Sequence, residues 1–480
     1  MSAHESDVLA PSGAAEVVRR APARERVSWA LYEFANTVFS MNMTTLFFSV
    51  WMVSDLHRSL TLMATINGIA SAMVVVSIPF FGAISDATQR RKPWVVGFTL
   101  AACAATVMVA FIGQNWLPLS GEGVEGVNSA ARLGSSMTPA LFAVLFAYVV
   151  ANYTYQGAQP FFNAMLPELV PASERGRLSG MGAAFSYAGA IVGLLIAYPF
   201  FERSIPLIGA FPAGLVGILR AVVPFSGTGG RVSTFAPTAI VFLLFSLPLF
   251  IFCRDHNASR GKRDVAWREA LHDVAATLRE TKKYPGSLRF ILTSFLYQDA
   301  MGTILTNMAL YAIFAMGFEH GTDAALFVVL TVPAVFGSYL IGRLTDRLGP
   351  KKTLSLVLLA WVVLLVAMIG VQTKPQFWVV GLCVGFIYGG VSTAERPMLL
   401  TLVPAHDAGR FFSLMVLSSR AAAVVGPFIW AFAVDGLLPR FGPHIAYRAG
   451  VATVGAAMVF ALWMLQKVPD RHQASAPATM

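Results

Sequence analysis

Apolar runs recur along the whole chain, and they constrain its fold more than any other feature. A helix of about 20 apolar residues has the length needed to cross the hydrocarbon core of a bilayer. Lipid offers the backbone no hydrogen-bond partners, so a spanning chain forms helices or a closed barrel, and the sequence lacks a barrel's alternation. With 56% hydrophobic and 12% charged residues, the composition excludes an ordinary soluble protein. We therefore expect an all-α membrane protein.

The sequence predicts twelve transmembrane helices with both termini in the cytoplasm. The helices cover residues 27–53, 61–85, 94–113, 139–164, 178–200, 234–253, 289–314, 323–343, 353–371, 376–399, 410–433 and 446–466. Because their number is even, both tails lie on one side of the membrane. The tails and the loops on that side carry 26 of the 35 Lys and Arg residues, whereas the opposite loops carry eight. This excess of positive charge predicts that the tails are cytoplasmic.

One further apolar stretch, residues 205–225, could be a thirteenth span. It contains Pro206, Pro212, Pro224 and Arg220, and an odd number of spans would break the internal repeat described next. We therefore expect an interfacial or re-entrant segment on the outer side of the membrane.

Two internal echoes indicate that the chain is duplicated. A glycine–aspartate–basic motif at 82–92 recurs 260 residues later at 342–352. A Leu-Val-Pro-Ala stretch followed by Gly-Arg, at 169–177, recurs 233 residues later at 402–410. Six spans followed by six spans in the same orientation form the parallel repeat that is typical of two-domain transporters.

We therefore expect two pseudo-symmetric six-helix bundles joined by a charged loop. The predicted units are a disordered cytoplasmic tail (1–26), an N-terminal bundle (27–253), a cytoplasmic interdomain loop (254–288), a C-terminal bundle (289–466) and a cytoplasmic tail (467–480). Within the interdomain loop, the sequence predicts an amphipathic helix from Val265 to Lys282 that lies along the membrane surface.

The two glycine–aspartate–basic loops resemble the signature loops of the major facilitator superfamily, which follow its helices 2 and 8. The stretches Trp-Ala-Leu-Tyr-Glu-Phe-Ala-Asn (29–36), Phe-Leu-Tyr-Gln-Asp (295–299) and Ser-Ser-Arg-Ala…Gly-Pro (418–427) resemble the subfamily of fungal autophagy-related vacuole effluxers and their bacterial relatives. The resemblance covers essentially the whole chain. It implies the major facilitator fold and a role in transport, and the fungal members are linked to amino-acid efflux.

The chain departs from these patterns at three places. The first loop has Thr88-Gln89 where the superfamily usually ends in a glycine, which predicts a less tightly turned loop. Glu33 stands where the subfamily more often has aspartate, and Gln298 stands where it more often has asparagine.

The loop motif has a physical role beyond its positive charge. A carboxylate at the cytoplasmic end of a helix can accept hydrogen bonds from the N-terminus of a neighbouring helix and pair with an arginine. Together with the resemblance, this implies a latch that holds the halves in the outward-open state and breaks when they rock. The predicted latch residues are Gly82, Asp86, Arg90, Gly342, Asp346 and Arg347. Positive-inside anchoring accounts for the basic residues equally well, but it does not account for the two aspartates.

Stripes of polar side chains at helical spacing run along four of the predicted spans. Polar groups that face lipid are costly, so such stripes mark a protein interior or a water-filled cavity. The resemblance implies a central pathway lined by helices 1, 4, 7 and 10, which are the helices that carry the stripes. The predicted pathway residues are Tyr32, Asn36, Ser40, Asn152, Tyr155, Gln156, Gln159, Asn163, Thr303, Asn307, Tyr388 and Ser392. The alternative is that they only join helices by hydrogen bonds.

Charged residues inside the spans form the second candidate set, namely Glu33, Asp299, Glu395, Arg396 and Arg420. Each costs roughly 2.5–3.5 kcal/mol at a helix centre on insertion scales. Three acids against two bases leave one carboxylate without a partner, and a dry cavity favours its protonated form. We hypothesise that Glu33 or Asp299 takes up and releases a proton during transport. A static ion-pair network that clamps the halves is the alternative.

Other classes of function find no support in the sequence. No phosphate-binding loop, catalytic set or metal-ligand spacing is present, so we expect neither an enzyme nor a cofactor. The net charge of +10 reports topology rather than nucleic-acid binding. The expected partners are the lipid bilayer, a small-molecule substrate and protons, with the chain as a monomer. Alanine- and arginine-rich usage favours a bacterial inner membrane. The alternative function is a transporter-like ligand sensor or a lipid mover.

Overall fold

The structure, a computed structural model, describes residues 20–56, 58, 60–117, 137–201, 204–205, 209–227, 229–256, 284, 286–318 and 323–470. Within these residues the chain forms twelve long helices, which we number α1 to α12. They are α1 Ala23–Phe39, α2 Leu60–Thr88, α3 Lys92–Trp116, α4 Pro139–Ala164, α5 Arg175–Phe201, α6 Phe235–Phe252, α7 Ser287–Leu310, α8 Asp323–Leu348, α9 Pro350–Gly370, α10 Lys374–Leu402, and α11 and α12, the two parts of Ala408–Gln466. Six of the described helices are, by length and composition alone, apolar enough to cross a bilayer.

Two of the helices are extended by irregular turns. Beyond Phe39, α1 continues through π-helical turns at Ser40–Leu46 and Trp51–Asp55, which flank a short α-helical piece at Phe47–Val50. Similarly, α7 continues through a π-helical turn at Tyr311–Ala315. Such turns occur often at functional sites, because the wider ring re-aims the side chains that follow.

The last two helices meet at Gly442, whose φ of 75° interrupts the helical backbone. We expected a loop at 434–445, yet the chain is helical on both sides of that glycine, at 408–441 and 443–466. A span predicted from apolar length ends where the apolar run ends, whereas the helical backbone continues through residues 435–445, most of whose side chains are exposed.

The segment that could have been a thirteenth span forms a short helix, Ala213–Val222. It follows a two-stranded antiparallel pair, Ser204–Ile205 with Gly209–Ala210. A helix of 10 residues is too short to cross a bilayer, so the described part of this segment adds no span.

Several helices begin with local signals that the sequence supplies. At α4, the Thr138 side chain accepts the N–H of Leu141 at 3.2 Å. At α10, Thr373 and Gln376 form a capping box, which satisfies two otherwise unpaired backbone donors. Pro follows the cap in both cases, at a position where its missing N–H costs nothing.

The ends of the chain differ in part from the predicted tails. Helix α1 begins at Ala23, before the predicted start at residue 27, and the N–H of buried Ala21 donates to the carbonyl of Leu169 at 2.9 Å. Val468 is buried as well. The predicted helix Val265–Lys282 and most of both tails lie outside the described residues.

The helices form two repeat-related bundles, which we call the N-half (α1–α6) and the C-half (α7–α12). Across the boundary, α5 packs against α8 and α10, while its repeat equivalent α11 packs against α2 and α4. We call the end of the molecule where α1 begins and α12 ends the termini face. The two halves therefore meet through two pseudo-equivalent helix junctions.

One junction depends on glycines. A Cβ atom added to Gly180 on α5 would lie 2.5 Å from the carbonyl oxygen of Ser338 and 2.8 Å from the Cα of Gly342 on α8. Only glycine lets the two backbones approach so closely. Gly342 is the first residue of the second loop motif, so the motif's glycine has a packing role.

We expect Gly180→Ala to lower the thermal unfolding temperature of the purified protein, because the added methyl group overpacks this crossing at a cost of about 1–3 kcal/mol. Gly97→Ala on α3 is the matched control, since a Cβ there meets nothing within 4 Å. Alanine also favours a helix over glycine, so the control should be unchanged or slightly more stable. Equal unfolding temperatures for the two variants would contradict the close crossing.

Candidate functional site

A cavity of about 460 Å³ lies between the two halves. The N-half contributes mostly polar side chains from α1, α4 and α5: Glu33, Asn36, Thr37, Ser40, Tyr155, Gln159, Asn163, Ser186 and Tyr187. The C-half contributes a mixed set: apolar Leu305, Val384 and Val416, polar Thr331, Tyr388 and Ser419, and Gly385. The cavity therefore has one polar wall and one mixed wall.

Seven of the residues that the sequence singled out line this cavity. They are Glu33, Asn36, Ser40, Tyr155, Gln159, Asn163 and Tyr388. The sequence reasoning missed Ser186, Tyr187, Thr331 and Ser419, because these lie on α5, α8 and α11 and the search was confined to the helices with long stripes. Isolated polar residues in otherwise apolar spans were the signal that could have found them.

The polar wall carries two kinds of hydrogen-bonding group: those already bonded to another side chain and those without a partner among the described residues. Thr37 and Ser186 bond to each other through their hydroxyl groups at 2.6 Å, joining α1 to α5. By contrast, the amide oxygens of Asn36 and Asn163 are buried and have no hydrogen-bond partner among the described residues. Both residues line the cavity, so their amide oxygens are placed to accept hydrogen bonds from a ligand inside it.

An ion pair between Glu33 on α1 and Arg396 on α10 joins the two halves at the cavity. The guanidinium carbon of Arg396 also lies 5.6 Å from the ring centre of Trp29, within the range of a cation–π contact. Trp29 is itself held by stacking on Phe162, with ring centres 4.6 Å apart. The charge of Glu33 is thus offset by Arg396, and the pair contributes no net charge to the site.

Three predicted pathway residues of the N-half lie outside the cavity lining. Tyr32 is buried and bonds through its hydroxyl group to Thr99 on α3 at 2.7 Å. Asn152 donates to the side-chain oxygen of Asn67 on α2 at 3.1 Å and accepts from Gln156 at 2.9 Å. Tyr32 and Asn152 thus join helices within the N-half, as in the alternative interpretation of the stripes, whereas Gln156 bonds within α4.

The predicted pathway residues of the C-half are placed similarly. Asn307 donates to the carbonyl of Thr303, one turn earlier on α7, at 2.8 Å. The hydroxyl group of Ser392 donates to the carbonyl of Gly389 at 3.2 Å. The cavity lining includes none of the three predicted residues Thr303, Asn307 and Ser392. Arg420 lies on α11, and its side chain is outside the described residues.

The other two acidic side chains within the spans are held by neutral donors. Asp299 accepts the backbone N–H of Gly426 at 2.6 Å. Glu395 accepts the hydroxyl group of Tyr297 at 2.8 Å and the side-chain amide of Gln298 at 3.0 Å. Of the three acids, Glu33 is therefore the one with an arginine partner in the described structure.

The second loop motif, at 342–352 in the C-half, contacts the Gly-Arg pair at 176–177 in the N-half. One carboxylate oxygen of Asp346, at the end of α8, accepts the backbone N–H of Gly176 at 2.7 Å. The other accepts the N–H of Arg177 at 2.9 Å. Both donors belong to the first turn of α5, where N–H groups have no partner within the helix and the helix dipole favours an anion.

The first motif makes the equivalent contact at the pseudo-symmetric position. Asp86, at the end of α2, accepts the N–H of Gly409 at 3.0 Å and the N–H of Arg410 at 2.8 Å, in the first turn of α11. Each half therefore holds the N-terminus of a helix of the other half, and both contacts lie on the termini face.

The arginine that is buried beside Asp86 is Arg91, whereas the predicted latch residue Arg90 is exposed. Arg91 pairs with Glu168 and donates to the carbonyl of Ala405 in the C-half at 2.8 Å. Burial raises the pKa of Glu168 above its ordinary value, although Arg91 opposes the shift. The predicted latch residue Arg347 is exposed as well. Sequence spacing could not decide between adjacent arginines, because side-chain direction decides which one is buried.

The first loop turns in the same left-handed way as the second, although it lacks glycine. Gly349 has a φ of 89°, and its equivalent, Gln89, has a φ of 51°. The expected looser turn is therefore not found. The side chain of Gln89 donates to the carbonyl of Asp86 at 2.5 Å and to that of His406 in the C-half at 3.0 Å. These bonds offset the strain of a left-handed non-glycine residue.

Comparisons with known proteins agree with this architecture. A family model described as "Vacuole effluxer Atg22 like" matches residues 56–437. The chain is 24% identical over 421 residues to the uncharacterized MFS-type transporter YxiO of Bacillus subtilis (strain 168), covering 85% of this chain and 88% of that protein. It is 24% identical over 422 residues to the multidrug resistance protein MdtG of Rahnella sp. (strain Y9602), covering 87% of each.

Solved structures give the same fold at low identity. A bacterial homologue of the iron transporter ferroportin, in an outward-facing state, aligns with a TM-score of 0.64 at 14% identity, covering 93% of this chain and 99% of that one. The transporter FucP in its outward conformation aligns with a TM-score of 0.63 at 13% identity, covering 92% of this chain and 98% of that one. These likenesses confirm the predicted fold of twelve helices in two six-helix bundles.

We expect the double variant Asp86→Asn/Asp346→Asn to loosen the termini face, because a neutral amide is a weaker acceptor for helix N-termini than a carboxylate. Spin labels at the exposed positions Arg90 and Lys352 report the distance between the halves, in a background without the three native cysteines. The label distances should shift to longer values than in the parent. Asp435→Asn, at an exposed carboxylate on α11, is the control and should change nothing. Identical distance distributions in the double variant would rule out a latch at these carboxylates.

Proposed function

This chain belongs to the Atg22-like vacuole effluxer family of major facilitator transporters, and on that premise we propose that it moves a small polar solute across the membrane by alternating access. It is a transporter and not an enzyme. The observation that carries the proposal is the cavity between the halves, together with paired contacts that close the termini face beneath it. Breaking these contacts would let the halves rock and expose the cavity to the other side.

The cavity favours a solute without net charge. Arg396 offsets the charge of Glu33, so a strongly charged ligand would lack a counter-charge there. The unpartnered amide oxygens of Asn36 and Asn163 are suited to an ammonium group or another donor. The apolar side chains of Leu305 and Val384 on the C-half wall suit a solute with an apolar side chain. We therefore favour an amino acid as the substrate, with efflux as the direction.

The ion pair between the halves offers a route to proton coupling. Protonation of Glu33 would remove its attraction to Arg396 and weaken one contact that joins the halves. Asp299, the other candidate, would lose its charge-assisted bond to Gly426 and so loosen α7 from α11. A static clamp made of the same groups remains the alternative. We propose in addition a monomer in a bacterial inner membrane, with the termini face in the cytoplasm.

A second candidate function is the efflux of larger amphipathic compounds. The apolar side chains of Leu305, Val384 and Val416 on the C-half wall favour it, and relatives such as MdtG of Proteus mirabilis (strain HI4320) are named multidrug resistance proteins. A ligand sensor would bind a solute without flux, and a lipid mover would carry phospholipid instead of solute.

The deciding experiment is uptake into proteoliposomes of a labelled amino-acid mixture and, separately, of amphipathic cationic dyes, with and without an imposed pH gradient. Saturable amino-acid flux supports the first proposal, and dye flux alone supports the second. Binding without flux of either kind, from folded protein, would point to the sensor.

We expect Glu33→Gln to abolish the dependence of this flux on the pH gradient while leaving downhill exchange measurable, because glutamine cannot release a proton. Asp299→Asn is tested in parallel. The matched control is Glu174→Gln, which alters a surface ion pair with Arg20 and should preserve gradient-driven flux. Gradient-driven flux that survives unchanged in both Glu33→Gln and Asp299→Asn would refute proton coupling through either carboxylate.

A further inference from the structure

A second large cavity, of about 990 Å³, lies on the termini face at the edge of the C-half. It is formed where three membrane helices begin or end: α7 begins at Ser287, α9 begins at Pro350, and α12 ends at Gln466. Its lining has no residue in common with the cavity between the halves. The ends of spanning helices lie at the depth of lipid headgroups.

Basic side chains dominate the polar lining of this cavity. Arg289, Lys351 and Lys467 face it, with Asp470 as the acidic residue among its lining. Asp470 pairs with Lys351 at 3.4 Å, and its side chain is 70% exposed, so water screens that pair. Three positive charges against one negative charge leave the cavity with an excess of positive charge.

Two of these basic groups are fixed in place by backbone carbonyls. Arg289 donates to the carbonyl of Lys467 at 2.7 Å, and Lys351 donates to the carbonyl of Gln466 at 3.2 Å. A guanidinium has five N–H donors and an ammonium has three, so donors remain to bind the oxygens of a phosphate. Because these bonds already restrict the Arg289 and Lys351 side chains, the side chains lose less conformational entropy when an anion binds.

The cavity is continuous with apolar surface that faces lipid. Leu288 and Leu292, one turn apart on α7, line it and are 45% and 51% exposed. On α12, exposed Phe460 and Trp463 stack with ring centres 5.5 Å apart. The ammonium of Lys467 lies 3.5 Å from the centre of the Trp463 ring. A ligand with a phosphate head and acyl chains would match both the basic lining and the apolar flank.

The internal repeat shows how Lys351 differs from its counterpart in the N-half. Lys351 is the repeat equivalent of Arg91, which turns inward to pair with Glu168. The residue equivalent to Glu168 in the C-half is Thr401, which has no charge. Without a carboxylate to hold it inside, Lys351 turns outward toward the membrane edge.

We propose that this cavity binds the phosphate headgroup of an anionic phospholipid from the leaflet on the termini face, with Arg289, Lys351 and Lys467 as its ligands. Basic cavities between membrane helices have the charge that such headgroups require. The cavity's separation from the central one means that this lipid is bound by the transporter and is not its cargo.

The test is native mass spectrometry and thermal unfolding of the full-length protein in detergent, with phosphatidylglycerol or phosphatidylcholine added. We expect the parent to retain phosphatidylglycerol and to unfold at a higher temperature with it than with phosphatidylcholine. Arg289→Gln/Lys351→Gln should bind phosphatidylglycerol about 30-fold more weakly, at about 1 kcal/mol per basic residue. The control, Lys374→Gln/Arg440→Gln, removes the same charge at positions outside the cavity lining and should behave as the parent.

Three outcomes would overturn the proposal. The first is equal retention of phosphatidylglycerol by the two double variants. The second is an equal stabilisation by phosphatidylcholine, which would indicate a site for acyl chains alone. The third is an equal stabilisation by inorganic phosphate at the same concentration, which would indicate a site for a soluble anion. If the double variant does not fold, Lys467→Gln alone serves the same comparison.

Discussion

The contact on which the rest of the structure depends is a carboxylate at the N-terminus of a helix in the opposite half. Asp346 holds the first turn of α5, and Asp86 holds the first turn of α11. Free N–H groups and the helix dipole make each site favourable for an anion, and water can replace the carboxylate once the halves separate. An interaction that is strong when closed and replaceable by water when open suits a gate, and we propose that role for both.

The glycines of the motif complete the same junction. At one copy, Gly342 lets α8 approach the backbone of α5, and at the other, Gly82 lies against Ser413 on α11. Close packing positions each aspartate over its helix N-terminus. Gln89 adds a further bond across the halves to the carbonyl of His406, at a backbone angle that glycine would adopt more easily. Each copy of the duplicated motif thus supplies a glycine for close helix packing, a carboxylate for the helix N-terminus and a residue with positive φ for the turn.

Much of this could be predicted from the sequence. Apolar length and loop charge predicted twelve helices, and the two echoes predicted both motif positions, because repeats with fixed offsets must occupy equivalent places. The site was harder to predict. Polar residues at one helical face are expected both in a cavity lining and in a bond between helices, so Gln159 lines the cavity whereas Asn152, on the same stripe, bonds to Asn67 on α2. The spacing of polar residues along one helix does not reveal which helix packs against it. Only the packed structure therefore distinguishes a residue that lines the cavity from one that bonds to another helix.

The proposed gate is tested most directly by a reversible disulfide bond that joins the two halves on the termini face. A Cβ atom at Gly82 would lie 3.5 Å from the Cβ of Ser413, within the range of about 3.5–4.5 Å that a disulfide requires. Gly82→Cys/Ser413→Cys, in a background without the native cysteines, should lose solute flux in proteoliposomes when oxidised and regain it when reduced. Each single variant should be insensitive to oxidant. Undiminished flux with the cross-link fully formed would show that this face does not open during transport, and would contradict the proposed gate.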